Sequence, residues 1–478
     1  MLRTGSQARP TPVDPVSRSS AMFKFLAALL AAIALTPTTP ALANVNGSVD
    51  SGWAGIEAGR VRVAFNLGAN NYDYLLATRA LGDGRLVAVG VATVTASTRQ
   101  IAVAVRKADG TADTSIAPNG RYSIPATGVV SSVDTAAAIA PDGSFYVIGR
   151  APNLQQLRVW HHALDGTELS APLDIGAAGT RYYASSAYVD FGGRLLVGGY
   201  LEPTTATTES TKDGFLVRLV AGGTGIDAAF GGLRTLVFDA TQRDDVFAIT
   251  GVGENYALCS RVGNLADADN LRFGIALVLR GGGLHPAFNG GNVYVDQLSL
   301  NGTAASSACN DIATVRQNGQ TRIVITGRAS APGQYARPYL VVVGLDGQLV
   351  AGTPRFVDFG FASTSINGFP HLLATPGGDA VYLSSASTLD GSGKYSVVVA
   401  RMDPFGNYDA TWGDAGTGTR VTMTAPAIGG TQRDVFNRGL TYQAGRLYLG
   451  ANIGLDAGDS DFALVRFTGD TIFEAGMN

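Results

Sequence analysis

The chain has 478 residues, a formal net charge of −3, 46% hydrophobic and only 15% charged residues, with 62 glycines against four lysines and six glutamates. So few helix-forming Lys and Glu beside so many turn-forming Gly exclude a helical bundle, and the apolar content excludes a disordered chain. The arginines are spread without a basic cluster, which excludes a nucleic-acid partner, because phosphate neutralisation needs a concentrated positive face.

Residues 22–43 read MFKFLAALLAAIALTPTTPALA. Lys24 supplies a positive start, Phe25 to Leu35 an apolar stretch, and Ala41-Leu42-Ala43 a small-x-small site, the pattern of a secretory signal cleaved after Ala43. The apolar stretch is shorter than the ~20 residues a bilayer span needs, so no membrane span is expected. Met22 is an alternative start for translation. The expected organisation is a signal region over 1–43 (22–43 the signal proper) and a single domain over 44–478, secreted or periplasmic. In that oxidising setting Cys259 and Cys309 are expected to pair as a structural disulfide. Two buried thiols are the alternative, and the spacing fits no redox or zinc motif.

From residue 50 onward one short motif recurs: Asp50-x-x-Trp53, Asp113-x-x-Ile116, Asp227-x-x-Phe230, His285-x-x-Phe288, Asp409-x-x-Trp412 and Asp470-x-x-Phe473. Two of the gaps are nearly double the others. Degenerate copies fall in phase at Leu173-Asp174-Ile175-Gly176 and Gly352-Thr353-Pro354, giving intervals of about sixty residues. Each interval has one grammar, illustrated in chain order. A short strand (Arg60 to Phe65) is followed by an apolar strand (Tyr74 to Thr78), the turn Asp83-Gly84, a strand from Arg85 to Val89, and another from Ile101 to Val105. The turn Asp109-Gly110 then leads back to the motif. Asp-Gly, Asn-Gly and Gly-Gly between apolar runs are hairpin signals with the positive φ of a type I′ turn.

Four short strands per interval predict an all-β, seven-bladed β-propeller built from ~60-residue four-stranded repeats. The first strand, Arg60 to Phe65, is spare, and the last interval lacks its own outer strand. Pairing Arg60–Phe65 with Phe462–Phe467 would seal the ring and remove the exposed edges. An open solenoid is the rival, and it needs dedicated caps.

These units resemble the bacterial delta-60 repeat. The matching stretches are Asp142-Gly143-Ser-Phe-Tyr-Val-Ile-Gly149, Asp109-Gly-Thr-Ala-Asp113 and Asp227-Ala-Ala-Phe-Gly231, and the likeness extends over nearly all of residues 50–478. The resemblance implies an exported, propeller-like repeat protein and assigns no chemistry.

Catalytic signatures are absent: there is no G-x-S-x-G elbow, H-E-x-x-H, phosphate-binding G-x-x-x-x-G-K or G-x-G-x-x-G. Of the four histidines, His285 stands at the Asp position of the motif, and adjacent His161 and His162 point to opposite faces of a strand. Gly222-Gly-Thr-Gly-Ile-Asp227 matches the start of a calcium-binding nonapeptide in a single copy, and Asp456, Asp459 and Asp461 form a small acidic loop. An Asp recurs at the start of the second strand in five of the intervals, Asp73, Asp134, Asp245, Asp311 and Asp434, while units three and six carry Tyr182 and Pro370 near that position. Facing a central channel, these five would ring a cation such as calcium or a polar ligand. In the competing reading each Asp caps local backbone N–H groups or pairs with an arginine of its own unit, and the arginines that end the fourth strand, Arg106, Arg218, Arg280, Arg401 and Arg466, make the second ladder of a structural latch. Trp160 with Tyr182, Tyr183 and Tyr188 is a candidate aromatic platform for sugars.

The expected function is a monomeric, exported, non-catalytic binding or surface-interaction module that takes an unidentified protein or glycan and needs no cofactor. The alternatives are a propeller hydrolase or lactonase with calcium in its channel, and a structural subunit of the envelope.

Overall fold

The computed structural model describes residues 47–53, 59–68, 71–95, 97–128, 130–131, 134–206, 212–263, 270–359, 370–388, 395–413, 420–423, 435–454 and 459–468. The signal segment with Ala43, the candidate Asp434, Asp456 and the motif copy at Asp470 lie outside the described residues. Those described are strands and turns, with short 3-10 turns and no α-helix among them. None is a helix long and apolar enough to cross a membrane.

Five four-stranded antiparallel sheets follow one another along the chain. They begin at Ala136–Ile139, Thr180–Val189, Asp244–Val252, Ser306–Gln317 and His371–Ala374, and each adds its strands in sequence order. An eight-stranded sheet joins two more four-strand runs. One run is Asn71–Ala80, Leu86–Thr93, Arg99–Arg106 and Arg121–Pro125. The other is Val435–Gln443, Arg446–Gly454 and Asp459–Arg466, completed by Arg60–Val63 from the start of the chain. That pairing is antiparallel, Arg60 opposite Val465 and Val63 opposite Phe462. The two runs meet through a short parallel ladder of Asn71 and Tyr72 on Asp459 and Ser460.

The first strand of each sheet packs against the first strand of the next, and Val435–Gln443 packs in turn against Asn71–Ala80. Apolar layers fill the spaces between successive sheets, which is why middle strands such as Leu86–Thr93 are buried on both faces and read as continuous apolar runs. The layer between the first and last runs contains Trp53, Val63, Leu75, Tyr448 and Phe462. The disulfide Cys259–Cys309 ties the 244–296 sheet to the 306–356 sheet.

The recurring motif is a capped turn. Asp227 Oδ1 accepts the Ala229 N–H at 2.9 Å, the Phe230 N–H returns to the Asp227 carbonyl at 3.0 Å, and the Phe230 ring is fully buried. Asp50, Asp113 and Asp409 cap in the same way. His285 substitutes its Nδ1 as the acceptor, taking the Ala287 N–H at 3.3 Å, so the histidine is a structural replacement for the aspartate. Of the two degenerate copies, Val350 and Thr353 keep the turn, with the Thr353 N–H on the Val350 carbonyl at 3.2 Å. Around Asp174 the turn is replaced by the strand Glu168–Ile175, because there is no aromatic side chain to bury and the chain pairs directly with Leu157–His162.

The hairpin turns differ from the type I′ expectation in one respect. Asn318-Gly319 and Ala444-Gly445 carry positive φ at both residues, whereas at Asp83-Gly84 and Asp142-Gly143 only the glycine does. There the aspartate instead folds over the turn, Asp83 Oδ1 accepting the Arg85 N–H at 3.0 Å.

Candidate binding site

Of the phased aspartates, the four described, Asp73, Asp134, Asp245 and Asp311, are directed at separate partners. First strands carry a bulge, at Leu75/Ala77, Val246/Ala248 and Cys309/Asp311 among others. Relative to it, Asp73 and Asp245 precede the extra residue by different distances and Asp311 follows it. Successive side chains of a strand point to opposite faces, so a one-residue drift in phase turns a carboxylate away from its supposed neighbours. Asp73 is fully buried, and its Oδ2 accepts the Phe65 N–H at 2.6 Å. Burial pushes this carboxyl up to about 7, against the opposing hydrogen bond. Asp244 does the same three sheets further along the chain, accepting the Phe238 N–H at 2.7 Å, and burial raises it also to about 7. Asp311 reaches into the next sheet, its Oδ2 accepting the Leu372 N–H at 2.9 Å with His371 Nδ1 at 3.3 Å. Asp134 faces Arg150 at 3.8 Å and Asp245 faces Arg243 at 3.6 Å.

The arginine ladder also has other partners than expected. Arg218 pairs with the motif carboxylate of Asp227 at 2.8 Å, Arg401 with Asp409, and Arg466 with Asp50 at 2.8 Å. The reason is geometric. The phased aspartates sit where first strands begin and the ladder arginines where third strands end, so the two groups occupy opposite ends of the sheets.

Further candidates are absorbed into the scaffold. Asp227 of the glycine-rich stretch has both oxygens occupied, by Ala229 and Arg218. Asp461 is buried against Arg62. His161 stacks on Tyr146 with its Nδ1 on the Gly222 carbonyl, His162 contacts Phe145 and the Gly166 carbonyl, and burial lowers the pKa of both rings. Among the described residues no group of three His, Cys, Asp or Glu is placed to hold a metal ion. The aromatic platform is not assembled either, because Trp160 and Tyr182 are core residues.

Tyr183 instead finds a partner the sequence reading did not single out. It lies directly opposite Tyr200 across the Thr180–Val189/Leu195–Pro203 hairpin, and the rings stack at 4.5 Å with an interplanar angle of 9°. The bulge next to them creates this contact. It presses the Tyr183 carbonyl against the neighbouring strand so closely that a Cβ on Gly199 would lie 1.9 Å from it. The Arg150 guanidinium stands 5.3 Å from the Tyr183 ring, and that of Arg243 4.0 Å from Tyr200. Arg150, Tyr183, Tyr200 and Arg243 thus form a column of planar groups across three successive sheets.

Carboxylates border the column. Glu202 accepts the Tyr183 O–H at 2.9 Å and pairs with Arg181 and Lys212, each at 3.5 Å. Burial and this bond both keep the Tyr183 phenol protonated. Asp134 is raised by burial, an effect opposed by Arg150 and Arg243 and reinforced by Asp245, which places all four in one electrostatic neighbourhood. Arg261 extends it, lying 3.3 Å from the Phe247 ring and donating to the Cys309 carbonyl at 3.0 Å, with burial drawing its pKa down to about 10. A signal for part of this site exists in the sequence. Tyr200 and Arg261 each follow the residue that pairs beside the bulge, Gly199 and Ser260, in the second strand of their sheets.

No protein-family model matches the chain, and no curated protein matches it in sequence. Among solved structures it is similar to a puromycin hydrolase (S511A mutant complexed with PGG), with a TM-score of 0.46 and 16% identity over 85% of this chain and 53% of that one. It therefore spans about half the length of that hydrolase. A protein of unknown function from Dyadobacter fermentans matches with a TM-score of 0.44 and 9% identity over 86% of this chain and 100% of that one. The alpha-L-arabinanase of Penicillium chrysogenum matches with a TM-score of 0.40 and 14% identity over 75% of this chain and 98% of that one. At these scores the likenesses carry no functional argument.

Proposed function

We propose that the protein is an exported seven-bladed β-propeller of the delta-60 repeat type, working outside the cytoplasm as a ligand-binding module without a metal or other cofactor. Three features support the ring: first strands that pack neighbour to neighbour back to the start, apolar layers between successive sheets, and a final run completed by Arg60–Val63. The observation that carries the binding role is the Arg150–Tyr183–Tyr200–Arg243 column with Asp134, Asp245 and Glu202 beside it. Charged, hydrogen-bonding and aromatic groups converge there from three sheets, the composition of a recognition site. Its groups are poorly set for nucleophilic chemistry, because the Tyr183 phenol is held protonated and donates to Glu202.

The second reading, a hydrolase or lactonase, is favoured by the raised carboxyl of Asp134, a property that suits a proton donor. Residues 44–478 incubated with chromogenic glycosides, lactones and esters decide between the two. No turnover is expected. Turnover that disappears in Asp134→Asn would replace the binding reading with the hydrolytic one.

A further inference from the structure

Resting on the binding reading, we infer that the ligand of this site is a neutral, polyhydroxylated molecule, a carbohydrate whose hydroxyls bridge Asp134 and Arg150. The two side chains are mostly buried, with 23% and 21% of their surfaces exposed, and stand 3.8 Å apart. At that separation they attract each other without a hydrogen bond. Arg150 Nε is buried and has no acceptor among the described residues, and the Asp134 carboxylate is offered no donor within hydrogen-bond distance there. Next to them Asp245, only 4% exposed, has a buried Oδ1 that receives no hydrogen bond. Buried polar groups are costly without partners, and charged ones more so.

The chemistry of the missing partner follows from the signs. A carboxylate or phosphate ligand would satisfy Arg150 and be repelled by Asp134 and Asp245. An ammonium ligand would do the reverse. A hydroxyl both accepts and donates, so one hydroxyl satisfies the guanidinium and a carboxylate together, and a vicinal pair extends the match to Asp245. The faces of Tyr183 and Tyr200 are already covered, by each other and by the two guanidiniums. The sugar is therefore held by hydrogen bonds and ring edges and not by stacking on a bare tyrosine face.

The test is binding of full-length mature protein to a printed array of neutral oligosaccharides beside uronic-acid-bearing and amino-sugar-bearing ones, followed by calorimetry with the tightest ligand. Arg150→Gln and Asp134→Asn are compared after their melting temperatures are matched to the parent. Expected is binding to neutral sugars that weakens about tenfold or more in each variant, since a hydrogen bond to a charged group contributes about 1.5–3 kcal/mol. Binding confined to acidic sugars, lost in Arg150→Gln and kept in Asp134→Asn, would overturn the neutral-ligand inference and leave the site standing. Sugar binding that neither variant weakens would overturn the site as well, and silence across the whole array would overturn the carbohydrate inference.

Discussion

Asp50 and Arg466, 416 residues apart in sequence, stand in the same relationship as Asp227 and Arg218, which are nine apart. In both pairs the arginine donates to the motif carboxylate, and the aspartate N–H returns to the arginine carbonyl, at 2.9 Å and 2.8 Å. The contact that organises the inside of one unit is therefore reproduced between the two ends of the chain. Both ion pairs are mostly buried, which makes them intolerant of losing one member.

Asp50→Ala is expected to destabilise the protein by ~3 kcal/mol, because Arg466 and Arg446 both point at the deleted carboxylate. Asp227→Ala should cost a similar amount. Only Asp50→Ala should also expose the Arg60–Val63 strand to proteolysis, which limited digestion with mass-spectrometric mapping would report. Equal digestion of the two variants would contradict a seal at this position.

Asp73 and Asp244 give the fold an acid-favouring term. Each has an ordinary pKa of 3.8 in the unfolded chain and about 7 when folded, so the folded state binds protons more tightly. Their contribution to stability is fully present below about pH 4 and is lost as pH rises through 7. Asp73→Asn keeps an acceptor for the Phe65 N–H and removes the titration. The variant should flatten the decline in melting temperature between pH 5 and 8, and an unchanged slope would refute the assignment.

Removing the Cys259–Cys309 disulfide by double serine substitution should lower stability by about 4 kcal/mol, the loop-closure value for a separation of 50 residues. Chemical denaturation of the parent and the variant measures it directly. A loss much below 1 kcal/mol would mean that packing between the two sheets already fixes their distance.

Calcium should leave the melting temperature unchanged. The described phased carboxylates are directed at separate partners: Asp73 at Phe65, Asp245 at Arg243 and Asp311 at Leu372. A native-state ligand at a hundredfold excess over its Kd would add ~2.7 kcal/mol. A rise of several degrees with calcium, reversed by EDTA, would therefore restore a cation to these residues.

Much of the fold was legible because it repeats. The Asp-x-x-aromatic turns and the spare strand at Arg60 are local patterns, and periodicity averages out the noise in any single copy. The disulfide was legible from two cysteines read together with a secretory signal pattern. The site was harder to read because bulges decide it. One extra residue at Ser185 sets which side of the strand Tyr183 faces, and a sixty-residue period has no means of recording such a slip. The same slips set Asp73, Asp245 and Asp311 at different distances from the bulge. Tyr200 and Arg150 escaped notice because neither belongs to the motif; each is defined by what the neighbouring sheet places beside it.

The strand Arg60–Val63 also sets a timetable. Arg62 and its partner Asp461 are 399 residues apart, so this strand leaves the ribosome long before Asp459–Arg466 does. Until that partner arrives, Phe65 and Trp53 have no layer to enter, since Phe462 and Tyr448 supply it. The sheet that carries Arg60–Val63 thus stays incomplete until Asp459–Arg466 has been made. A segment that cannot pair before its partner is made stays without its ladder through most of synthesis.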